Sequence, residues 1–161
     1  MCIRDRGGPT KYYDYSTKNM KHIFSIFYKL LKKKDFQLVV IPSMRTPLNT
    51  IHYAKEFFGE NHTVIMNVDK KAYLSALALS ENIIVTCDSS SMISEAALTG
   101  KPIYIANILP KKNDIRFQRF RNLFRELNII RNLGEEVERW NYEKLDETNR
   151  VADIIKQKIN S

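Results

Sequence analysis

Short β-branched runs alternate along this chain with segments whose apolar residues recur at helical spacing. That alternation constrains the fold more than any other feature. Phe36 to Ile41 is a compact apolar run closed by Pro42, and Thr63 to Val68, Asn82 to Thr86 and Pro102 to Ala106 follow it. Runs of this length, bounded by turn residues, read as buried strands. Between them, residues 17 to 33 place Ile23, Phe24, Ile26, Phe27, Leu30 and Leu31 near helical spacing. Pro47 to Phe58, with Gly59 after its end, Lys70 to Leu79 and Met92 to Thr99 read as further helices. Residues 113 to 127 form a basic amphipathic helix with Phe117, Phe120, Leu123, Phe124 and Leu127 as its apolar stripe. A last helix, at about 143 to 159, is expected to bury Leu145, Val151, Ile154, Ile155 and Ile159. Strands joined by helices imply βαβ units, right-handed crossovers and a Rossmann-like parallel sheet with helices on both faces. Ligands of such sheets bind outside the carboxyl ends of the strands, so those loops hold the candidate site.

A chain of 161 residues suits one compact domain. Its 43% apolar content, against 27% charged, excludes a disordered chain. No apolar run approaches the roughly 18 to 20 residues of a membrane-spanning helix. The first residues lack the apolar core of a signal peptide, which makes the cytoplasm the expected compartment. Cys2 and Cys87 form neither a disulfide nor a metal pattern, and Cys87 reads as a reduced, partly buried thiol. The net charge of +8 suits nucleic acid, anionic lipid or a phosphorylated small molecule, and does not choose among them.

Residues 1–6, Met1 to Arg6, read as a non-native leader, and residues 7–161 as the domain proper. Gly7-Gly8-Pro9-Thr10 is a loop of the kind that ends a strand, but the strand before it is missing. The first strand is therefore expected to be truncated. In a 3-2-1-4-5 sheet that strand is central, so the fragment is expected to be marginally stable alone, although Met1 to Arg4 can fill part of the gap.

Three strand-end loops carry unusual polar chemistry. Gly7, Gly8, Pro9 and Thr10 allow close approach of backbone to a phosphate, or make a simple tight turn. Ser43-Met44-Arg45-Thr46-Pro47 sets Arg45 at a helix start, where a cation without an anionic ligand is slightly unfavourable. A bound phosphate would remove that conflict; alternatively Arg45 is solvated and Thr46 caps the helix. The third loop runs through Asp88, Ser89, Ser90, Ser91 and Met92 to Ser94 and Glu95, ahead of Gly100-Lys101-Pro102. Its hydroxyls suit helix capping or phosphate. Glu95 falls outside the capping-box spacing and is expected to face a cleft, where ribose hydroxyls would suit it, unless it only complements the helix dipole. A fourth loop, Asn107 to Asp114 with Lys111 and Lys112, either flanks a ligand or is simply exposed, the second being favoured, and Trp140-Asn141-Tyr142 is expected to serve packing.

This ordered set resembles the C-terminal donor-binding domain of GT-B-fold glycosyltransferases. More closely it is similar to the ELM family of mitochondrial-fission-like proteins, GT-B-like proteins of plants and bacteria that are sometimes labelled predicted nucleoside-diphosphate-sugar epimerases. Gly7-Gly8-Pro9, Ser43 to Pro47, Asp88 to Ala96 and Gly100-Lys101-Pro102-Ile103-Tyr104 carry the resemblance, and Phe117-Gln118-Arg119-Phe120 extends it. It implies a nucleotide-diphosphate sugar as partner. Arg45 would neutralise diphosphate, Ser89, Ser90 and Ser91 would donate to it, and Glu95 would hold the ribose. It also implies a missing N-terminal domain that supplies the catalytic base, so no catalytic residue is assigned here and the fragment is not expected to catalyse alone. Neither cofactor nor metal is implied.

The alternative is a non-enzymatic interaction scaffold on the same fold. Nucleic-acid binding through Arg116, Arg119, Arg121 and Arg125 is disfavoured, because no recognised module accompanies that helix. Peripheral attachment to an anionic membrane surface, through the same helix and Lys32 to Lys34, ranks above it.

Overall fold

The computed structural model describes residues 2–5, 12–33, 36–134 and 136–159; the Gly7, Gly8, Pro9 and Thr10 loop lies outside the described residues. In chain order the elements are β1 (Cys2–Asp5), α1 (Thr17–Lys33), β2 (Val39–Pro42), α2 (Leu48–Phe58), β3 (Thr63–Val64) and α3 (Lys70–Leu79). There follow β4 (Ile83–Thr86), α4 (Ser90–Ala97), β5 (Ile103–Ala106), α5 (Ile115–Glu126), β6 (Ile130–Asn132) and α6 (Glu147–Ile159). The strands form one parallel sheet in the order β3-β2-β1-β4-β5-β6. The α/β class and the periodicity-based elements agree with expectation, with α3 matching to the residue and α4 starting two residues earlier than expected.

Two expectations change. The central place in the sheet is filled, because β1 pairs with β2 (Ile3 opposite Val40) and with β4 (Ile3 opposite Ile84). The sheet therefore has its middle ladder, and marginal stability no longer follows from a missing one. A sixth strand, β6, also joins the edge beside β5. It escapes a periodicity reading because it is three residues long. Its local signal is the end of α5, where Asn128 adopts φ 54°. Ile129 N–H reaches Phe124 C=O at 2.9 Å and Asn128 N–H reaches Arg125 C=O at 2.8 Å, a Schellman closure that turns the chain into β6.

Every residue of β4 and β5 is buried, which explains their uninterrupted apolar character. Ile83, Ile84, Ile103 and Ile105 are essentially inaccessible, and each contributes about 1.5–3 kcal/mol by leaving water. On one side α1 packs Ile23, Phe24 and Phe27 into this core. Phe24 stacks on Tyr53 of α2 at 5.4 Å between centroids. At the far end Trp140 sits edge-on to Tyr104 and donates to Asn128 C=O at 2.8 Å, so the Trp140–Tyr142 stretch does serve packing.

The last helix departs from its expected role. Leu145 packs against the core, but Val151, Ile154, Ile155 and Ile159 are 40–77% exposed and α6 has no buried residue. Periodicity predicts an apolar face; it does not supply a surface to cover it. The stripe of α5 is also rearranged. Phe124 is buried, Phe117 and Phe120 are half-buried, and Leu123 and Leu127 are about half exposed, while Arg121 is buried.

Arg121 belongs to a polar network that fastens the carboxyl edge of the sheet. Its guanidinium pairs with Asp114 Oδ2 at 3.1 Å and donates to Cys87 C=O at 2.8 Å and to Tyr13 Oη at 3.1 Å. Tyr13 O–H donates to the same Asp114 oxygen at 2.6 Å, and Gln118 donates to Oδ1 at 2.5 Å. Two residues on, Tyr15 O–H donates to Asp88 Oδ1 at 2.8 Å. Tyr13 and Tyr15, on one side of an extended segment, thus anchor the chain entering α1 to the ends of β4 and to the start of α5. Burial pushes the Tyr13 hydroxyl well above its ordinary pKa, and donation to the Asp114 carboxylate raises it further. For Asp114, burial alone would raise the carboxyl; hydrogen bonds from Tyr13, Arg121 and Gln118 outweigh it and hold the pKa below its ordinary value.

Three outcomes are expected. Ile3→Pro, which removes a donor from the central strand, should lower unfolding stability by about 2 kcal/mol or more in a denaturant titration. Arg121→Met should cost about 3–5 kcal/mol in the same measurement, since it leaves Asp114 buried without its cation. Because the folded pKa of Asp114 is depressed, its contribution is present above the unfolded value and fades as pH falls through the folded one. Thermal melts of wild type should therefore weaken in acid more steeply than those of Asp114→Asn.

Candidate functional site

The sheet changes direction between β1 and β4: β2 and β3 lie to one side, β5 and β6 to the other. Loops that leave the carboxyl ends at such a reversal diverge and open a crevice. A cleft of about 680 Å³ lies there, lined by Ser43, Met44, Arg45, Val68, Lys70, Tyr73, Leu74 and Glu95. These residues come from the loops after β2 and β3, from α3 and from α4.

The loop after β2 is shaped by its own hydroxyls. Thr46 N–H reaches Ser43 C=O at 3.1 Å, Ser43 N–H donates to Thr46 Oγ1 at 2.9 Å, and Arg45 N–H donates to Ser43 Oγ at 3.2 Å. Thr46 therefore closes the turn, while Pro47 occupies the cap position of α2 with no side-chain cap bond. The tight turn buries Ser43 and leaves Arg45 half exposed over the cleft. Arg45 Nη2 also lies 3.9 Å from Asp88 Oδ2. Asp88 at the end of β4 is thus an anionic neighbour of Arg45 within the chain itself.

Asp69 caps α3, accepting from Lys71 N–H at 2.8 Å and Ala72 N–H at 3.0 Å. That cap sets Lys70 at the mouth of the cleft and Tyr73, one turn on, against α4. Tyr73 O–H donates to Glu95 Oε2 at 2.6 Å. Glu95 is the sixth residue of α4, beyond the first turn where a dipole contribution is appreciable. It faces the cleft as expected, with Tyr73 fixing one carboxylate oxygen. Lys70 and Tyr73 join the cleft although their sequence context does not mark them. The sole local signal was the Asp69 cap, because neither residue belongs to a motif and only the fold carries α3 alongside α4.

The Ser-rich turn divides. Asp88 and Ser89 are buried at the head of α4, and Asp88 Oδ2 and Ser89 Oγ have no hydrogen-bond partner among the described residues. Ser90, Ser91 and Ser94 line a separate groove of about 390 Å³ with Arg116, Phe117 and Phe120 of α5. Met92 belongs to the core and is 1% exposed. The predicted residues thus do not form one surface: Ser43, Arg45 and Glu95 share the cleft, and three serines face across α4 toward α5. An apolar gap of about 30 Å³ between α1, β2 and α2 is too small to hold more than a water molecule.

Near this edge, Cys87 accepts from Ile108 N–H at 3.2 Å, and burial pushes its thiol up to about 11, which removes it as a nucleophile at neutral pH. Gly100 adopts φ 71°, a conformation that favours glycine, and Lys101 beyond it donates to Leu77 and Ala78 carbonyls at 2.7 and 2.6 Å. The Gly100-Lys101-Pro102 turn therefore closes the end of α3 rather than reaching the cleft. Among the described residues no group of three or more His, Cys, Asp or Glu side chains is placed to hold a metal ion. No helix among them is long and apolar enough to cross a membrane.

The residues that build this edge fall within the span of a known protein family. The model of the family described as Mitochondrial fission ELM1 matches residues 6–159. An uncharacterized protein, RP120, of Rickettsia prowazekii (strain Madrid E) is 29% identical over 160 residues, covering 93% of this chain and 44% of that protein. The mitochondrial fission protein ELM1 of Arabidopsis thaliana is 30% identical over 122 residues, covering 73% of this chain and 28% of its own length. No solved structure matches. This chain spans less than half the length of either relative. With a match that runs through all three strand-end loops, the chain belongs to the mitochondrial fission ELM1 family.

Proposed function

We propose that this chain is the nucleotide-sugar-binding part of a glycosyltransferase-like protein, with the nucleoside diphosphate seated in the cleft beside α4. The observation that carries the reading is the placement of Arg45, Lys70 and Glu95 around one cleft at the sheet's reversal point. Two cations suit a diphosphate, and a carboxylate accepts hydrogen bonds from ribose hydroxyls. Tyr73 holds that carboxylate in place before a ligand arrives, which lowers the ordering cost of binding. Arg45 is half exposed over the cleft, where a phosphate can reach its guanidinium. The buried, unbonded Ser89 hydroxyl at the head of α4 is a further donor on the same edge. In a transferase built this way, positive charge around the departing diphosphate would supply much of the catalysis. In this reading the acceptor site and the catalytic base belong to the N-terminal domain that the resemblance to GT-B proteins implies.

A second reading follows from the Arabidopsis relative, a mitochondrial fission protein: the fold would serve as an interaction scaffold without nucleotide-sugar affinity.

Calorimetric titration against a panel of nucleoside diphosphates and their sugars separates the two. Binding should weaken about tenfold or more in Arg45→Ala and in Glu95→Ala, and less in Tyr73→Phe, which removes one neutral donor. A well-folded chain that binds no member of the panel would sink the donor-site reading and leave the scaffold.

A further inference from the structure

α1 carries five lysines and no carboxylate in its 17 residues. Its buried side holds Met20, Ile23, Phe24, Phe27 and Leu30. Lys18, Lys21, Tyr28 and Lys32 recur at three- and four-residue helical spacings, or multiples of them, and so line the opposite side, where all four are exposed. The neighbouring α2 extends this side with Tyr53 and Phe57. Tyr28 is 46% and Phe57 39% exposed, and their rings meet edge to face at 5.9 Å. Lys32 Nζ lies 4.7 Å from the Tyr28 ring centre and Lys21 Nζ 5.9 Å from that of Tyr53. Glu56 is the sole acid in α2. The result is a face of cations around half-exposed aromatic rings, and it shares no residue with the cleft.

We infer that this α1–α2 face docks on an anionic lipid bilayer. Complementary charge is the first reason: each cation near an anionic surface contributes a comparable increment, and nothing on α1 opposes it. The second is the aromatic pair. Tyr28 and Phe57 stay partly exposed side by side, as aromatic rings at a headgroup boundary do. Base stacking would need an open ring face, yet Tyr53 is stacked on Phe24 and Lys32 covers Tyr28. The basic helix singled out in the sequence, α5, fits less well. Arg121 is buried against Asp114, and Arg125 is engaged by Asn122 and Asn132.

The test is co-sedimentation of the 161-residue chain with phosphatidylcholine vesicles, with and without about one-third phosphatidylglycerol, at low and high salt. Binding should require the anionic lipid and weaken with salt. Each of Lys18→Gln, Lys21→Gln and Lys32→Gln should weaken it about fivefold, and the three together on the order of a hundredfold. The pair Lys112→Gln and Arg119→Gln, on the α5 side, should leave it unchanged. Independently of those variants' folding, Tyr28→Trp should shift its emission to shorter wavelength when anionic vesicles are added. Equal binding to neutral vesicles, full affinity in the triple variant, or loss confined to the α5 pair would overturn the inference. So would a Tyr28→Trp emission that vesicles do not move, or lysine-dependent binding to a single-stranded oligonucleotide with none to vesicles.

Discussion

The ladder on both sides of β1 is the constraint on which the rest of this molecule depends. With β1 between β2 and β4, the sheet runs outward in two directions from its centre, and the loops on either side of that centre must part. The crevice they leave is a consequence of parallel pairing and right-handed crossover, before any side chain is considered. Four residues of β1 backbone suffice, because alternate residues turn their N–H and C=O toward β2 and toward β4, whereas an edge strand bonds on one side.

On that edge, polar groups do what apolar packing does in the interior. Asp114, Arg121, Tyr13 and the Cys87 carbonyl form a linked set of buried donors and acceptors, and Tyr15 ties Asp88 to the same segment. A buried ion pair adds little net stability over a well-packed apolar substitute, but breaking one partner is costly. Its main effect here is geometric. It holds the entry to α1, the end of β4 and the start of α5 in one arrangement, next to the cleft in which Arg45, Lys70 and Glu95 meet.

Charge is distributed unevenly over this frame. Some of the arginines that look like a basic helix in the linear sequence are consumed by structure, while the lysines of α1 remain outside with two aromatic rings between them. The apolar stripe of α6 stays uncovered by the described residues, in a chain that spans less than half of its relatives.

Much of this was legible in the linear chain. Periodicity alone identifies α1, α2, α3 and the buried strands, since burial on two faces demands unbroken apolar runs and burial on one helical side demands a stripe. The spacing of Glu95 from the serines already excluded a capping box and pointed it toward a cleft. The Asp69 cap was visible as a residue, but nothing in the sequence placed Tyr73 beside Glu95, 22 positions away. Arg121 read as surface charge, because burying an arginine depends on an aspartate and a tyrosine that only the fold brings to it. Helical spacing likewise could not tell α6 whether a partner surface would be there. Local chemistry sets periods, caps and turns within a few residues. Which long-range pairs meet, and which polar groups go inside, depends on the sheet order, and that was decided by tertiary structure.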